Sequence, residues 1–411
     1  MSNVKKGIYL FCLLLLLLFI SALAVTLGSF PITVTEVYSI LWRGLFQKPE
    51  TAGEIIVWSL RLPRILMGII AGISLGIAGS IMRGLLKNPL ASPYTLGVSS
   101  GAVFGAVLAI VTPGFGVGGA AIIQIIGIAF VFAFIVSLFI LYLARKEERV
   151  VKIAFAIVFG ACFIWMIGAF IWGTWLVGAG YALFPAFIFY RILLVLVAFL
   201  FIFGITRCKG PTAVNIGIAG IGMGMGWLLA KFMSLLLYFR EAEAVKEASF
   251  WSIGGLGRVS WDNILPASVM LVVCCILLLM LLFILKLRDF DTIRIGADNS
   301  PFVKVTHSRT VLMAVAALLV ASTVSFTGII AFAGFVAPHI AYVTVGKENK
   351  FLLPASGLLG ALFLVGADAV ARTIMAPVII PTGVMTSLVG IPLFIYLLIT
   401  IIIRSKGDEN G

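Results

Sequence analysis

Apolar residues run in long unbroken stretches along the whole chain, and polar residues gather in short breaks between them. A stretch of about 20 apolar residues is long enough to cross the hydrocarbon core of a bilayer as a helix. The stretches predict spans at about 8–30, 65–86, 94–111, 118–143, 153–177, 183–206, 213–238, 263–286, 309–331, 333–345, 355–374 and 383–403. Hydrophobicity is continuous within each rather than alternating, which excludes a closed β-barrel. The expected fold is therefore all-α, a polytopic transmembrane helical bundle of about twelve spans forming one domain over 1–411.

The polar breaks fix an orientation. With the N-terminus inside, most of the 29 lysines and arginines fall in inside loops or at inside helix ends, as the positive-inside rule requires. Both termini are then cytoplasmic. Residues 31–62 and 239–262 lie outside, and 287–308 lies inside. "FREAEAVKEASFWSIGGLGRVSWD" (239–262) reads as a short surface helix followed by a Gly-rich turn. The first run, "IYLFCLLLLLLFISALAVTLGSF", is too long for a signal-peptide core and reads as an uncleaved first span.

Composition sharpens this picture. The chain of 411 residues is 62% hydrophobic and 11% charged, with a mean hydropathy of +1.21. No soluble domain hides that much apolar surface. The net charge of +13 follows from the inside loops, and no exposed basic run carries stacking aromatics for nucleic acid. The five cysteines lie in or beside apolar runs without metal-ligand spacing. No Gly-rich phosphate loop, His-Glu-x-x-His pair or nucleophile elbow occurs, so the chain is not read as an enzyme.

Small residues mark packing faces. Gly68, Gly72 and Gly76 repeat every four residues, as do Gly97, Gly101 and Gly105. Such ridges let helix backbones approach closely. Charges at membrane depth are the best functional leads. Asp368 and Arg372 stand four apart on one helix face, where a mutual pair is the simplest reading. Arg61 and Arg64 sit at the outer end of the second span, where snorkelling accounts for them as well as function does. Lys231 lies inside a span without an evident partner; with Asp368 it offers the alternative of a stand-alone secondary transporter with an ion relay.

Several blocks then carry a family signature. "RLPRILMGIIAGISLGIAGSIMRGLLKNPLASPYTLGVSSGA", "FWSIGGLGRVSW", "GIIAFAGFVAPHI" and "LLPASGLLGALFLVGADAVART" resemble, in order, the FecCD-type permeases. These are membrane subunits of ATP-driven importers for iron chelates, haem and cobalamin. The resemblance covers about residues 1–145 and 211–403. It implies a homodimer with two cytoplasmic ATPase subunits and an extracytoplasmic binding protein, in the cell membrane, with ATP and Mg held by the ATPase and no cofactor in this chain. It implies that Arg61 and Arg372 face outward to dock the binding protein. It implies that 287–308 couples to the ATPase around Arg294, Gly296, Asp298 and Asn299. It makes "KNPLASPYTLG" a rigid cytoplasmic corner, with Asn88 and Pro89 ending one helix and Ser92 and Pro93 starting the next. The sequence departs from the pattern at Ile379 and Ile380, at Tyr342 and at Arg83. Residues 146–210 are additional and read as an inserted two-span hairpin, whose turn carries Trp172, Trp175, Tyr181 and Tyr190.

The topology is open to a direct check. In a cysteine-free background, Gly178→Cys is expected to react with an impermeant thiol reagent added outside. Labelling from the cytoplasmic side alone rejects the twelve-span order.

Overall fold

A computed structural model describes residues 2–28, 30, 32–86, 97–112, 120–144, 211–238, 241–284 and 307–409. The expected hairpin 146–210, the corner residues Asn88, Pro89, Ser92 and Pro93, and the coupling residues Arg294, Gly296, Asp298 and Asn299 lie outside the described residues. Those that are described form helices and their connections, with no strand among them.

The first span is α1 (Asn3–Thr26), capped by the Ser2 hydroxyl, which accepts from the Lys5 N–H. A short amphipathic helix, α2 (Val34–Arg43), follows and turns Val37 and Ile40 inward while Tyr38 and Trp42 stay exposed. The next span, α3, begins at Ala52, well before its expected start. Thr51 and Glu54 form a capping box there. The helix is π-helical over Ile55–Arg61 and α-helical over Leu62–Leu86. The wide turns end where Pro63 removes an N–H from the ladder.

The remaining described helices are α4 (Val98–Val111), α5 (Ala120–Ala144), α6 (Pro211–Tyr238), α7 (Ala242–Ile253), α8 (Trp261–Ile284), α9 (His307–Thr327), α10 (Ala333–Val345), α11 (Asn349–Thr373) and α12 (Thr382–Glu409). The Gly-rich stretch 216–226 is helical throughout as part of α6. Helix α7 and the turn after it match the surface helix and Gly-rich turn expected for 239–262.

Helix α3 lies at the centre and packs along α11, with α9, α10 and α8 also against it; α4 pairs with α5, and α1 leans on α11. In lipid there is little hydrophobic force between apolar helices, so association depends on close van der Waals contact. The glycine ridge provides it. A Cβ on Gly72 would overlap the Gly360–Ala361 backbone, one on Gly76 the Ser356 carbonyl, and one on Gly79 the Gly334 carbonyl. The Gly101 and Gly105 ridge faces Phe132–Ala133 and Ile128–Ala129 of α5 in the same way. Both ridges thus seat helices within one subunit. Met67, Leu75, Ile81, Leu312 and Leu319 fill the core around the central pair.

Opposite ends of the bundle are pinned differently. At one end Lys6 Nζ lies 2.8 Å from Glu348 Oε1, tying the start of α1 to the turn before α11. The hydrogen bond from Lys6 is the main cause that holds the Glu348 carboxyl below the usual carboxylate range. The other end carries α2, α7 and the buried arginines described below.

Gly76→Ala and Gly127→Ala should shift stability in opposite directions. The first drives a methyl into backbone and is expected to cost about 3 kcal/mol. The second meets nothing within 4 Å and gains about 1 kcal/mol of helix propensity. Thermal midpoints of the purified variants, followed by size-exclusion chromatography, check both signs.

Candidate functional site

Helix α1 ends at Thr26 beneath the α2 side of the bundle. The last carbonyls of a helix have no partner within it. At this depth a bare carbonyl is costly, because water is scarce. Two arginines take these groups. Arg61, at the end of the π-helical turn, donates from Nη1 to Val25 O at 3.0 Å and Thr26 O at 3.2 Å, and from Nη2 to Phe30 O at 3.1 Å. Arg372, in the last turn of α11, donates from Nη1 to Leu27 O at 3.0 Å and from Nη2 to Ala24 O at 3.1 Å.

Asp368 sits one turn before Arg372 and is 2% exposed. Its Oδ2 lies 3.0 Å from Arg372 Nε, so the pair expected from their spacing is present. A third arginine completes the cluster. Arg64 Nε donates to both carboxylate oxygens, at 2.8 and 2.9 Å, and its Nη2 lies 2.7 Å from Oδ1. Thr382 Oγ1, at the start of α12, donates to Oδ1 at 2.8 Å. One carboxylate thereby joins α3, α11 and α12. Arg61, Arg64 and Arg372 are all nine-tenths buried, and together with Asp368 they place two net positive charges below the surface. The partial negative charge at the C-terminus of α1 offsets part of that excess.

Arg61 and Arg372, expected to face outward, are buried in this structure. Neither guanidinium is at the surface, and neither snorkels; both point at the chain's own carbonyls, because α1 ends beside them. Lys231 does not join the cluster. It is half-buried, with Nζ 5.5 Å from the Trp227 ring centre. Asp368 is already held by two arginines and a threonine, so the two ends of the supposed relay are engaged separately. Sequence reasoning missed Arg64 and Thr382 as partners of Asp368. The available signal was charge count: three arginines near one end and a single carboxylate within the spans.

Beside Arg64 lies a cavity of about 320 Å³ between α7, the Gly-rich turn after it, the end of α9 and the start of α12. Its floor is three backbone segments knotted together. Gly255 N–H donates to Thr327 O at 2.8 Å, and Gly383 N–H to Gly254 O at 3.2 Å. Gly254 and Gly328 have φ of 69° and 68°, a conformation that favours glycine. A Cβ on either would also strike neighbouring backbone. Among the described residues, no group of three His, Cys, Asp or Glu gathers at metal-binding distance.

Comparison with known proteins decides the family. The FecCD transport family matches over residues 13–171 and 155–400. The chain belongs to the FecCD transport family. A protein of Methanocaldococcus jannaschii named as an ABC transporter permease is 31% identical, covering 96% of this chain and 95% of its own. The hemin transport system permease of Yersinia pestis is 30% identical over 51% of this chain and 60% of its own. The vitamin B12 import system permease of Vibrio vulnificus is 33% identical over 44% and 53%. Among solved structures, one described as an inward-facing conformation of a metal-chelate type ABC transporter matches with a TM-score of 0.64. It is 23% identical and is covered over 99% of its chain by 96% of this one. That likeness supports the all-helical fold. This FecCD chain is accordingly a multi-pass membrane permease, a transport component whose helices carry the apolar runs read from its sequence.

The charge cluster is expected to be structural first. Asp368→Asn leaves two buried arginines without a counter-charge and should cost about 3–5 kcal/mol. Thr382→Ala removes one hydrogen bond to a charged group and should cost about 1.5–3 kcal/mol. Thermal midpoints in one detergent give the order, and equal midpoints for Asp368→Asn and wild type contradict the assignment.

Proposed function

We propose that this chain is the permease subunit of an ATP-driven importer for an iron chelate, haem or cobalamin. It works as a homodimer with two cytoplasmic ATPase subunits and an extracytoplasmic binding protein that delivers the chelate. The observation that carries the reading is the family match along nearly the whole chain, joined to relatives named for hemin and vitamin B12 transport. The chain has no phosphate-cradling loop, so ATP and Mg belong to the partner ATPase. Charge bias puts both termini and the segment 287–308 in the cytoplasm, where Arg294, Gly296, Asp298 and Asn299 meet that ATPase. Residues 146–210 form the inserted hairpin; the two family matches overlap within them.

Burial gives Arg61 and Arg372 an indirect part in docking. They hold the end of α1 and the segment after it, and that held segment presents the outer surface to the binding protein. The cavity beside Arg64 opens on this same side.

Reconstitution tests the proposal. In proteoliposomes with its ATPase and binding protein, the permease is expected to accumulate chelate only when ATP is supplied. Gly296→Ile should abolish ATP-driven uptake while the protein remains in the membrane. Full uptake without any ATPase rejects the reading in favour of a secondary transporter.

A further inference from the structure

The cavity beside the arginine cluster has four kinds of wall, one of them apolar from Phe326, Ile379, Ile380 and Pro381. Phe250 and Trp251, in the last two turns of α7, supply aromatic surface. Gly254, Gly255, Gly257 and Gly328 leave backbone without side chains. Arg64 and Arg258 supply charge. No acidic side chain lines it.

The two cations are arranged unequally. Arg64 is fixed from behind, since Asp368 takes its Nε and Nη2. Its Nη1 lies on the Gly257 side, where a Cβ on Gly257 would stand 3.3 Å away. Arg258 is exposed. Its guanidinium lies 5.6 Å from the Phe250 ring centre and 5.5 Å from that of Trp251. Its Nη2 donates to the Glu247 backbone carbonyl at 3.1 Å, and the nearby Glu247 carboxylate offsets part of its charge. A fixed cation at the back and a second one resting on aromatic rings suit a planar ligand bearing anionic oxygens.

Volume limits what can enter. Small-molecule pockets run from about 300 to 1,000 Å³. At about 320 Å³ this one is at the lower end, large enough for a single aromatic ring with its acid group and too small for a whole iron chelate. The geometry points to a subsite that receives one anionic aromatic arm of the transported chelate, an aryl carboxylate whose oxygens the metal leaves free. The arm's ring lies against the exposed Phe250, beside Arg258, with its oxygens toward Arg64 and Arg258. The assignment rests on the importer reading above and narrows its substrate to chelates built with such arms.

The test uses the full chain in nanodiscs with benzoate, 2,3-dihydroxybenzoate, benzamide and acetate as probes, read by saturation-transfer NMR against empty nanodiscs. Benzoate and 2,3-dihydroxybenzoate are expected to bind. Benzamide keeps the ring without the charge, acetate the charge without the ring, and each should bind about tenfold more weakly, as loss of one charge-assisted contact implies. Arg258→Gln, at an exposed position, should weaken benzoate about tenfold, and Arg258→Lys should recover part of it. Equal binding of benzoate and benzamide, no binding of any probe, or an unchanged affinity in Arg258→Gln overturns the subsite. ATP-driven uptake by a chain that binds no probe removes the subsite and keeps the importer. Probe binding without ATP-driven uptake removes the importer reading and, with it, the chelate arm as the ligand.

Discussion

A single buried carboxylate organises one end of this permease. Asp368 receives Arg64 from α3, Arg372 from its own helix α11 and Thr382 from α12. Each partner is held because the alternative is an unpaired charge where water is scarce. Breaking such a pair by removing one member costs far more than the pair contributes over an apolar replacement. The cluster is therefore better understood as a lock on geometry than as a source of stability. It sets how α3, the last turns of α11 and the start of α12 sit relative to one another, and with them the segments that reach the surface.

The same constraint explains the two arginines that turn to the end of α1, Arg61 with no carboxylate among the described residues and Arg372 beside Asp368. The end of α1 offers carbonyls from Ala24 to Leu27 that its helix cannot satisfy. Arg61 and Arg372 meet them with charged donors, and the helix dipole makes that meeting favourable. A residue that seems to belong to the outer surface by its place in the sequence thus becomes part of the interior. Burial, rather than distance along the chain, decides whether such an arginine can meet another protein.

Close packing does the corresponding work in the middle of the bundle. Gly72, Gly76 and Gly79 let the α3 backbone touch α11 and the start of α10, and the contact leaves little freedom for one helix to slide on the other. Because α3 also carries Arg61 and Arg64, its seating on α11 brings Arg64 to Asp368. It likewise leaves Arg64 at the wall of the cavity below α7. The glycine ridge, the charge cluster and the cavity are consecutive consequences of how one helix is placed.

The sequence by itself determined the class of protein and the order of its helices. Runs of apolar residues can only be satisfied in lipid as helices, so helix positions along the described chain were legible, most ends to within about six residues. The exception was the start of α3, where the Thr51–Glu54 capping box and the π-helical turns extend the helix into what reads as loop. Glycine spacing announced the tight seams, and the order of the family blocks announced a FecCD permease. The pair Asp368–Arg372 was legible because it is local, four residues apart on one helix. Arg64, Thr382 and the carbonyl partners of Arg61 and Arg372 were not, since they come from positions 14 to 348 residues away and no periodicity links them. The cavity was equally hidden, because its wall is assembled from four separate segments. What only the tertiary structure decided is which of several buried charges face each other. That choice depends on helix seating and on the desolvation of unpaired groups, quantities that arise once the chain is packed.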